Sequence, residues 1–227
     1  MTIKRTFLII LTCLLFLSCN KKQSELEFEQ TVFYELFPAL ADSIHFDIRL
    51  SHPIPPMPIF DENDSLIGVD TTGMTKRLVD YEKRKAELNA DSTRLVIAIK
   101  DSVFSIDEID RKELIIHYEE LGIKVDSSNE NLNYLIDLTK LKTEYKKIHF
   151  KYLSEFPDKS EFWSTKYNFH LVGSTGFSRI QFDKTKSFGV LNSYYSCGRL
   201  CGGGYRIFIK NVKGKWEIDK IIHTWVA

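Results

Sequence analysis

Cys197 and Cys201 stand four positions apart in the run Cys197-Gly198-Arg199-Leu200-Cys201-Gly202-Gly203-Gly204. Two thiols at this spacing can close a disulfide, form a redox couple or supply half of a zinc site. In an extended strand their Cα atoms would be ~13 Å apart, too far for a disulfide. Across a three-residue turn they face each other, and Gly198 and Gly202–Gly204 supply the backbone freedom such a turn needs. A ring this small constrains little of the unfolded chain, so the bond contributes ~2 kcal/mol. Thioredoxin-type redox pairs are C-x-x-C at a helix start, whereas this pair is C-x-x-x-C in a strand-rich region. A Cys2His2 zinc site would draw on two of His149, His170 and His223, none of which have the H-x3–5-H spacing. The expectation is a structural disulfide between Cys197 and Cys201, with the redox couple and the zinc site as alternatives. The glycine run is no phosphate loop, because Tyr205-Arg206-Ile207-Phe208-Ile209 reads as a strand where a Lys-Ser/Thr pair and a helix are required.

The six histidines are His45, His52, His117, His149, His170 and His223, and no two are close enough to form a helical metal pair. Neither H-E-x-x-H nor G-x-S-x-G occurs, so no compact catalytic motif is present. His170 and His223 fall on strand-like runs, and either could act as general base if folding brought it to a carboxylate in a pocket. Asp61-Glu62-Asn63-Asp64 invites a calcium reading. Leu66 and Thr72 occupy the positions where an EF-hand loop needs Gly and Glu, so a hairpin turn explains the cluster better. No catalytic residue, metal ligand or cofactor is assigned.

The chain has 227 residues with 31 Lys plus Arg, 31 Asp plus Glu, 43% hydrophobic and 13% aromatic residues. These are globular proportions, and the balanced charge lacks the basic field that nucleic-acid binding needs. Lys4 and Arg5 precede the apolar run Phe7 to Leu17, which is shorter than the ~20 residues of a membrane-spanning helix but suits the core of a signal peptide. The run closes on Phe16-Leu17-Ser18-Cys19 and turns polar at Asn20-Lys21-Lys22. That ending resembles a bacterial lipobox, with Phe16 where Leu is commonest. The resemblance implies a diacylglycerol thioether on Cys19, cleavage before it and acylation of the new amine. Two or three acyl chains anchor durably where one does not. Asn20 lacks the Asp that resembles an inner-membrane retention signal, which favours the outer membrane. Cleavage would remove Lys4 and Arg5 and no acid, leaving a net charge of −2. Cys13 would leave with the signal and Cys19 would carry lipid, so Cys197 and Cys201 remain as a pair in a compartment that permits disulfides.

The elements that must position these residues follow from hydrophobic periodicity. Leu26 to Ile44 has helical spacing with the face Phe33, Leu36, Phe37, Leu40 and Ile44, Glu29 interrupts the stripe, and Pro38 predicts a kink or break near Phe37. Pro53, Pro55, Pro56 and Pro58 predict an extended or polyproline II loop. Thr75 to Asn89 reads as a charged surface helix, Arg94 to Ile99 as a strand, Ile109 to Leu121 as a helix stopped by Gly122, and Lys147 to Leu153 as a strand. Beyond Lys166, strand-like runs over 167–172, 178–182, 187–195, 204–211 and 215–226 are separated by turn signals at 173–176, 183–186 and 213–215. Short turns predict antiparallel neighbours. The expected fold is α+β: N-terminal helices with a C-terminal antiparallel β-meander packed against helix. The expected organisation is a lipoprotein signal over 1–18, tether and helix over 19–50, Pro-rich loop and hairpin over 51–73, and an α+β domain over 74–227 with its sheet in 166–227.

The stretch from Ser178 to Ala227, with its Phe-Ser-Arg-Ile-Gln-Phe-Asp strand, Cys-Gly-x-x-Cys-Gly turn and Gly-Lys-Trp-Glu-Ile-Asp ending hairpin, resembles uncharacterised lipoproteins of Bacteroidota-type bacteria. The resemblance covers about a quarter of the chain. It implies a periplasmic or surface lipoprotein and no transferable activity. The helix-then-meander order is also similar to cystatin-like and nuclear-transport-factor-like folds, an analogy of architecture alone. The expected function is a non-enzymatic binding or accessory module of the cell envelope, tethered to a membrane through Cys19 and open to an envelope protein partner. Its presentation surface would be the sheet face and the Cys197–Cys201 turn. The alternative is an envelope hydrolase with His170 or His223 as base.

Overall fold

Helix α1 (Glu25–Ile44) lays Val32, Phe33, Leu36, Phe37, Leu40 and Ala41 into the largest hydrophobic cluster of the protein. The computed structural model describes residues 23–44, 49–50, 53–126, 133–143, 147–158 and 160–227. The expected signal segment and the lipidation candidate Cys19 lie outside the described residues. Of the kink or break expected near Phe37, the break does not occur: α1 runs unbroken through Pro38. Proline removes one helical hydrogen bond, but Phe37 and Leu40 beside it are fully buried and their packing holds the helix through. Glu29, the interruption in the apolar stripe, is buried to 1% exposure because it meets Arg179.

The described strands form two sheets. The small one pairs β1 (Met57–Phe60) with β2 (Leu66–Asp70). The large one has seven strands, with β4 (Ile148–Tyr152), β3 (Leu95–Ile99), β5 (His170–Phe177), β7 (Phe188–Gly198), β8 (Cys201–Val212) and β9 (Lys215–Val226) side by side and β6 (Gln181–Phe182) on β7. The expected meander is β7–β8–β9, antiparallel throughout. The sheet is wider than the C-terminal strands, because β3 joins β5 and β4 in parallel register. Such partners are distant in sequence and carry no turn signature.

Residues 173–176 are not the turn expected of them; they are strand β5. A Cβ on Gly173 would meet the Ser196 carbonyl and the Tyr195 ring, both at 2.5 Å, and one on Gly176 would meet the Tyr194 ring at 2.6 Å. These glycines make room for aromatic rings from β7. The other turn signals hold. Asp183 accepts the backbone N–H groups of Thr185, Ser187 and Phe188 at 2.8–3.0 Å. Lys213 and Gly214 both have positive φ, as a two-residue hairpin requires.

Adjacent residues of a strand point to opposite faces, so the sheet carries a helix on each. Leu191, Ile207 and Ile209 pack under α1. Val190 and Phe208 pack against Leu114 of α3 (Glu108–His117) and against Tyr118. The N-cap Asp107 and Asp110 form a reciprocal capping box, and Gly122 closes the segment in the left-handed region. The charged helix α2 (Met74–Ala90) buries only Leu88. Lys147 Nζ caps its end through the carbonyls of Leu88 and Asn89 at 2.8 and 2.6 Å. Arg49 and Asp91, on either side of the hairpin and α2, are paired at 2.6 Å. The excursion between them exposes Met57, Ile59, Phe60, Leu66, Ile67 and Val69.

Candidate functional site

One transverse row of the large sheet alternates glycine and aromatic residues. Gly176 pairs with Tyr194, Tyr194 with Gly204 and Gly204 with Trp225, crossing β5, β7, β8 and β9. Residues directly opposite share a face. The Tyr194 ring leans over Gly176, and the Trp225 indole occupies the space a Gly204 side chain would fill and reaches toward Gly202. Trp225 is thereby held against the sheet while 47% exposed. Phe104 flanks Tyr194, with ring centroids 6.2 Å apart and planes 31° apart. Burial pushes the Tyr194 hydroxyl above the usual tyrosine value, so it remains a proton donor through the neutral range. The next row in one direction is Ser174, Ser196 and Gly202, small residues leading to the hairpin end. There the disulfide Cys197–Cys201 closes the β7–β8 turn with the Cα atoms 5.1 Å apart.

In the other direction lies a polar cluster under the first turn of α3. Asp110, buried to 1%, accepts Asn192 Nδ2 at 2.8 Å and Arg206 Nε and Nη2 at 3.2 and 2.9 Å. Its second oxygen accepts the Asp107 N–H at 3.1 Å. Asn192 must turn its amide nitrogen toward Asp110, which leaves its buried Oδ1 without a partner among the described residues. Between row and cluster is an open cleft of about 340 Å³, with Phe104, Asn192, Tyr194, Arg206, Thr224 and Trp225 among its walls. It offers flat apolar faces and a neutralised guanidinium, an arrangement that holds ligands by stacking and shape.

Neither His170 nor His223 lines this cleft. His170 begins β5 opposite Leu95. His223 packs on Tyr205, centroids 4.8 Å apart, on the other face of the sheet. His117 meets a carboxylate, at 2.8 Å from Asp219, whose other oxygen takes Lys210 at 2.6 Å. The His117 ring is stacked on Phe208 at 3.9 Å, so the trio latches α3 to β8 and β9. Cys197 and Cys201 are brought together as expected, their sulfurs bonded to each other. Among the described residues no group of three His, Cys, Asp or Glu is gathered as a metal site would need. The sequence reading missed Asp110, Asn192 and the Gly204–Trp225 pairing. The aromatic crowding at 194, 195, 205 and 225 was the signal present, but which rings share a face depends on register. No protein-family model, curated protein or solved structure matches this chain.

Buried Asp183 and partly buried Asp219 both contribute to the acid limit of the fold. Burial alone would raise Asp183, but its bonds from Thr185, Phe188 and Ser187 outweigh that and hold it below the usual carboxylate range. Burial likewise opposes, and Lys210, His117 and Tyr118 more than offset, the shift of Asp219. A carboxyl with a depressed folded pKa contributes stability that is present above its unfolded value, ~3.9. That contribution is lost as pH falls through the folded value. The urea midpoint is expected to drop below about pH 4. Asp183→Asn should lower stability at pH 7 by about 2 kcal/mol and flatten that acid limb. An unchanged limb in the variant would assign the acid transition elsewhere.

Proposed function

We propose that the protein is an exported, lipid-anchored binding module of the bacterial cell envelope, with no catalytic role. The Phe16-Leu17-Ser18-Cys19 ending of the apolar N-terminus supports an anchor on Cys19, and Asn20 after it favours the outer membrane. The disulfide suits an oxidising compartment. The observation that carries the binding role is Trp225, held flat against Gly204 with half its surface open beside Tyr194 and the cleft. A large aromatic left on a sheet face, beside a turn pinned by a disulfide, is a presented surface. An envelope hydrolase based on His170 or His223 would need one of them beside a carboxylate in a cleft, and the cleft walls are other side chains.

The test is the intact mass of protein extracted from its native membrane, with and without reduction before thiol alkylation. The expected mass is that of the acylated chain beginning at Cys19, with Cys197 and Cys201 unreactive until reduced. A mass retaining residues 1–18, or two thiols alkylated without reduction, would overturn the anchor or the compartment.

A further inference from the structure

β9 carries a bulge where it crosses the aromatic row. Gly204 pairs with Trp225 and Tyr205 with His223, so Thr224 is an extra residue between them. A bulge re-aims side chains, and two successive residues come to share a face instead of alternating. A Cβ on Gly204 would meet the Trp225 indole and, at 2.6 Å, Thr224 Oγ1. Indole and hydroxyl therefore stand side by side on the wall of the cleft, above a residue without a side chain.

The groups presented there are uncharged. The Thr224 hydroxyl, the Trp225 indole N–H and the Tyr194 hydroxyl have no hydrogen-bond partner among the described residues, and all three residues line the cleft. Arg206 is the formally charged residue of the lining, and Asp110 at 2.9 Å and Glu113 at 3.7 Å already face it. An anion would have to compete with both carboxylates. A cation would find no carboxylate in the lining and would meet Lys100, whose Nζ stands 5.5 Å from the Phe104 ring centroid. Phe104 and Tyr194 are inclined by 31° with centroids 6.2 Å apart, which leaves no parallel-sided slot between them for a flat base. The chemistry that fits is a neutral ligand with an apolar face and a rim of hydroxyls.

We infer that the cleft binds a saccharide, with one pyranose ring laid on Trp225. This rests on the reading of the row as a binding face and names its ligand. The C–H groups on one side of such a ring are weakly positive, and the face of an indole is negative. The hydroxyls lie around the edge of the ring, where Thr224 and Tyr194 are free to exchange hydrogen bonds with them. The cleft volume of about 340 Å³ is at the small end of ligand sites, which run from about 300 to 1,000 Å³. It suits a short stretch of glycan, and its open side lets the glycan continue outward.

The test is a binding titration of the full chain in a polyoxyethylene detergent, which carries no sugar. The titrants are neutral trisaccharides of glucose, mannose, galactose and N-acetylglucosamine, with neutral glycans released from the envelope of the producing cells. The expected result is binding of at least one titrant, unchanged between low and high salt. Trp225→Ala should weaken it by about tenfold or more. Thr224→Val should weaken it less, and Trp225→Phe should retain most of it because an aromatic face remains. Circular dichroism of the three variants should match the wild type, since both side chains are exposed. Binding that survives Trp225→Ala, that falls steeply with salt, or that favours adenosine over every sugar overturns the proposal. A panel with no member that binds also overturns it. In that last case, a wild-type chain that retains an envelope protein which Trp225→Ala releases leaves the row as a binding face for protein. Retention of nothing removes that reading as well.

Discussion

Glu29→Ala is expected to lower stability by about 3–5 kcal/mol, more than any other single charge removal in the protein. Arg179 donates from Nε to both Glu29 oxygens at 2.7 and 2.9 Å and from Nη2 at 2.6 Å. The Ile180 N–H adds a bond at 2.9 Å. Both side chains are nearly without solvent contact, at 6% and 1% exposure. Loss of the carboxylate takes these bonds from a guanidinium that has almost no solvent contact, and the cost is mostly that of keeping its charge buried. The pair itself is worth far less than the single variant suggests, because burying two ions consumes much of their attraction. Glu29→Leu combined with Arg179→Met should therefore recover most of the lost stability. Urea unfolding of the three chains checks this through the midpoint at constant slope. A double variant as unstable as the single one would mean that the ion pair is itself a net source of stability.

Gly173→Ala is expected to cost about 3 kcal/mol, the upper end for an overpacked site. The added methyl would meet the Ser196 carbonyl oxygen and Tyr195, and neither can move. The Ser196 oxygen belongs to the central strand β7. Tyr195 is 1% exposed, with its hydroxyl donating to the Val172 carbonyl at 3.0 Å. Gly204→Ala is the informative contrast. Its methyl would collide with the Trp225 indole, which is half-exposed and can be displaced toward solvent. That variant should lose under about 1 kcal/mol and show red-shifted tryptophan emission. Equal losses for the two variants would mean that Trp225 is as fixed as Tyr195.

What the sequence disclosed depended on the range of the interaction. The buried face of α1 was readable because one helix turn brings its members together. The hairpins at 183–186 and 213–215 were readable because their residue types satisfy local backbone demands. The α+β class and the β7–β8–β9 meander followed from those signals. Gly173 and Gly176 misled for a physical reason: the same missing Cβ that permits a turn also admits a neighbouring ring. Glu29 read as a flaw in the stripe because its partner lies 150 residues away. The parallel places of β3 and β4 were hidden for the same reason, since no turn links them to β5. The alternation of Gly176, Tyr194, Gly204 and Trp225 exists only once the register of four strands is known.

The bonding of α1 also constrains when the chain can mature. This helix is held by Arg179, 150 residues further on, and, through Glu35, by the backbone N–H of Trp216 at 2.8 Å, a separation of 181 residues. Contacts of such long range form late, because the intervening chain must first be closed into a loop. A ribosome or export channel releasing this chain from its N-terminus would deliver α1 well before anything it packs against. Until β9 emerges, the face of Phe33, Phe37 and Leu40 has no seat, and the polypeptide stays pliable enough to be threaded. Delayed closure of this kind would suit the export proposed for this chain, since a chain that closes late can still be threaded.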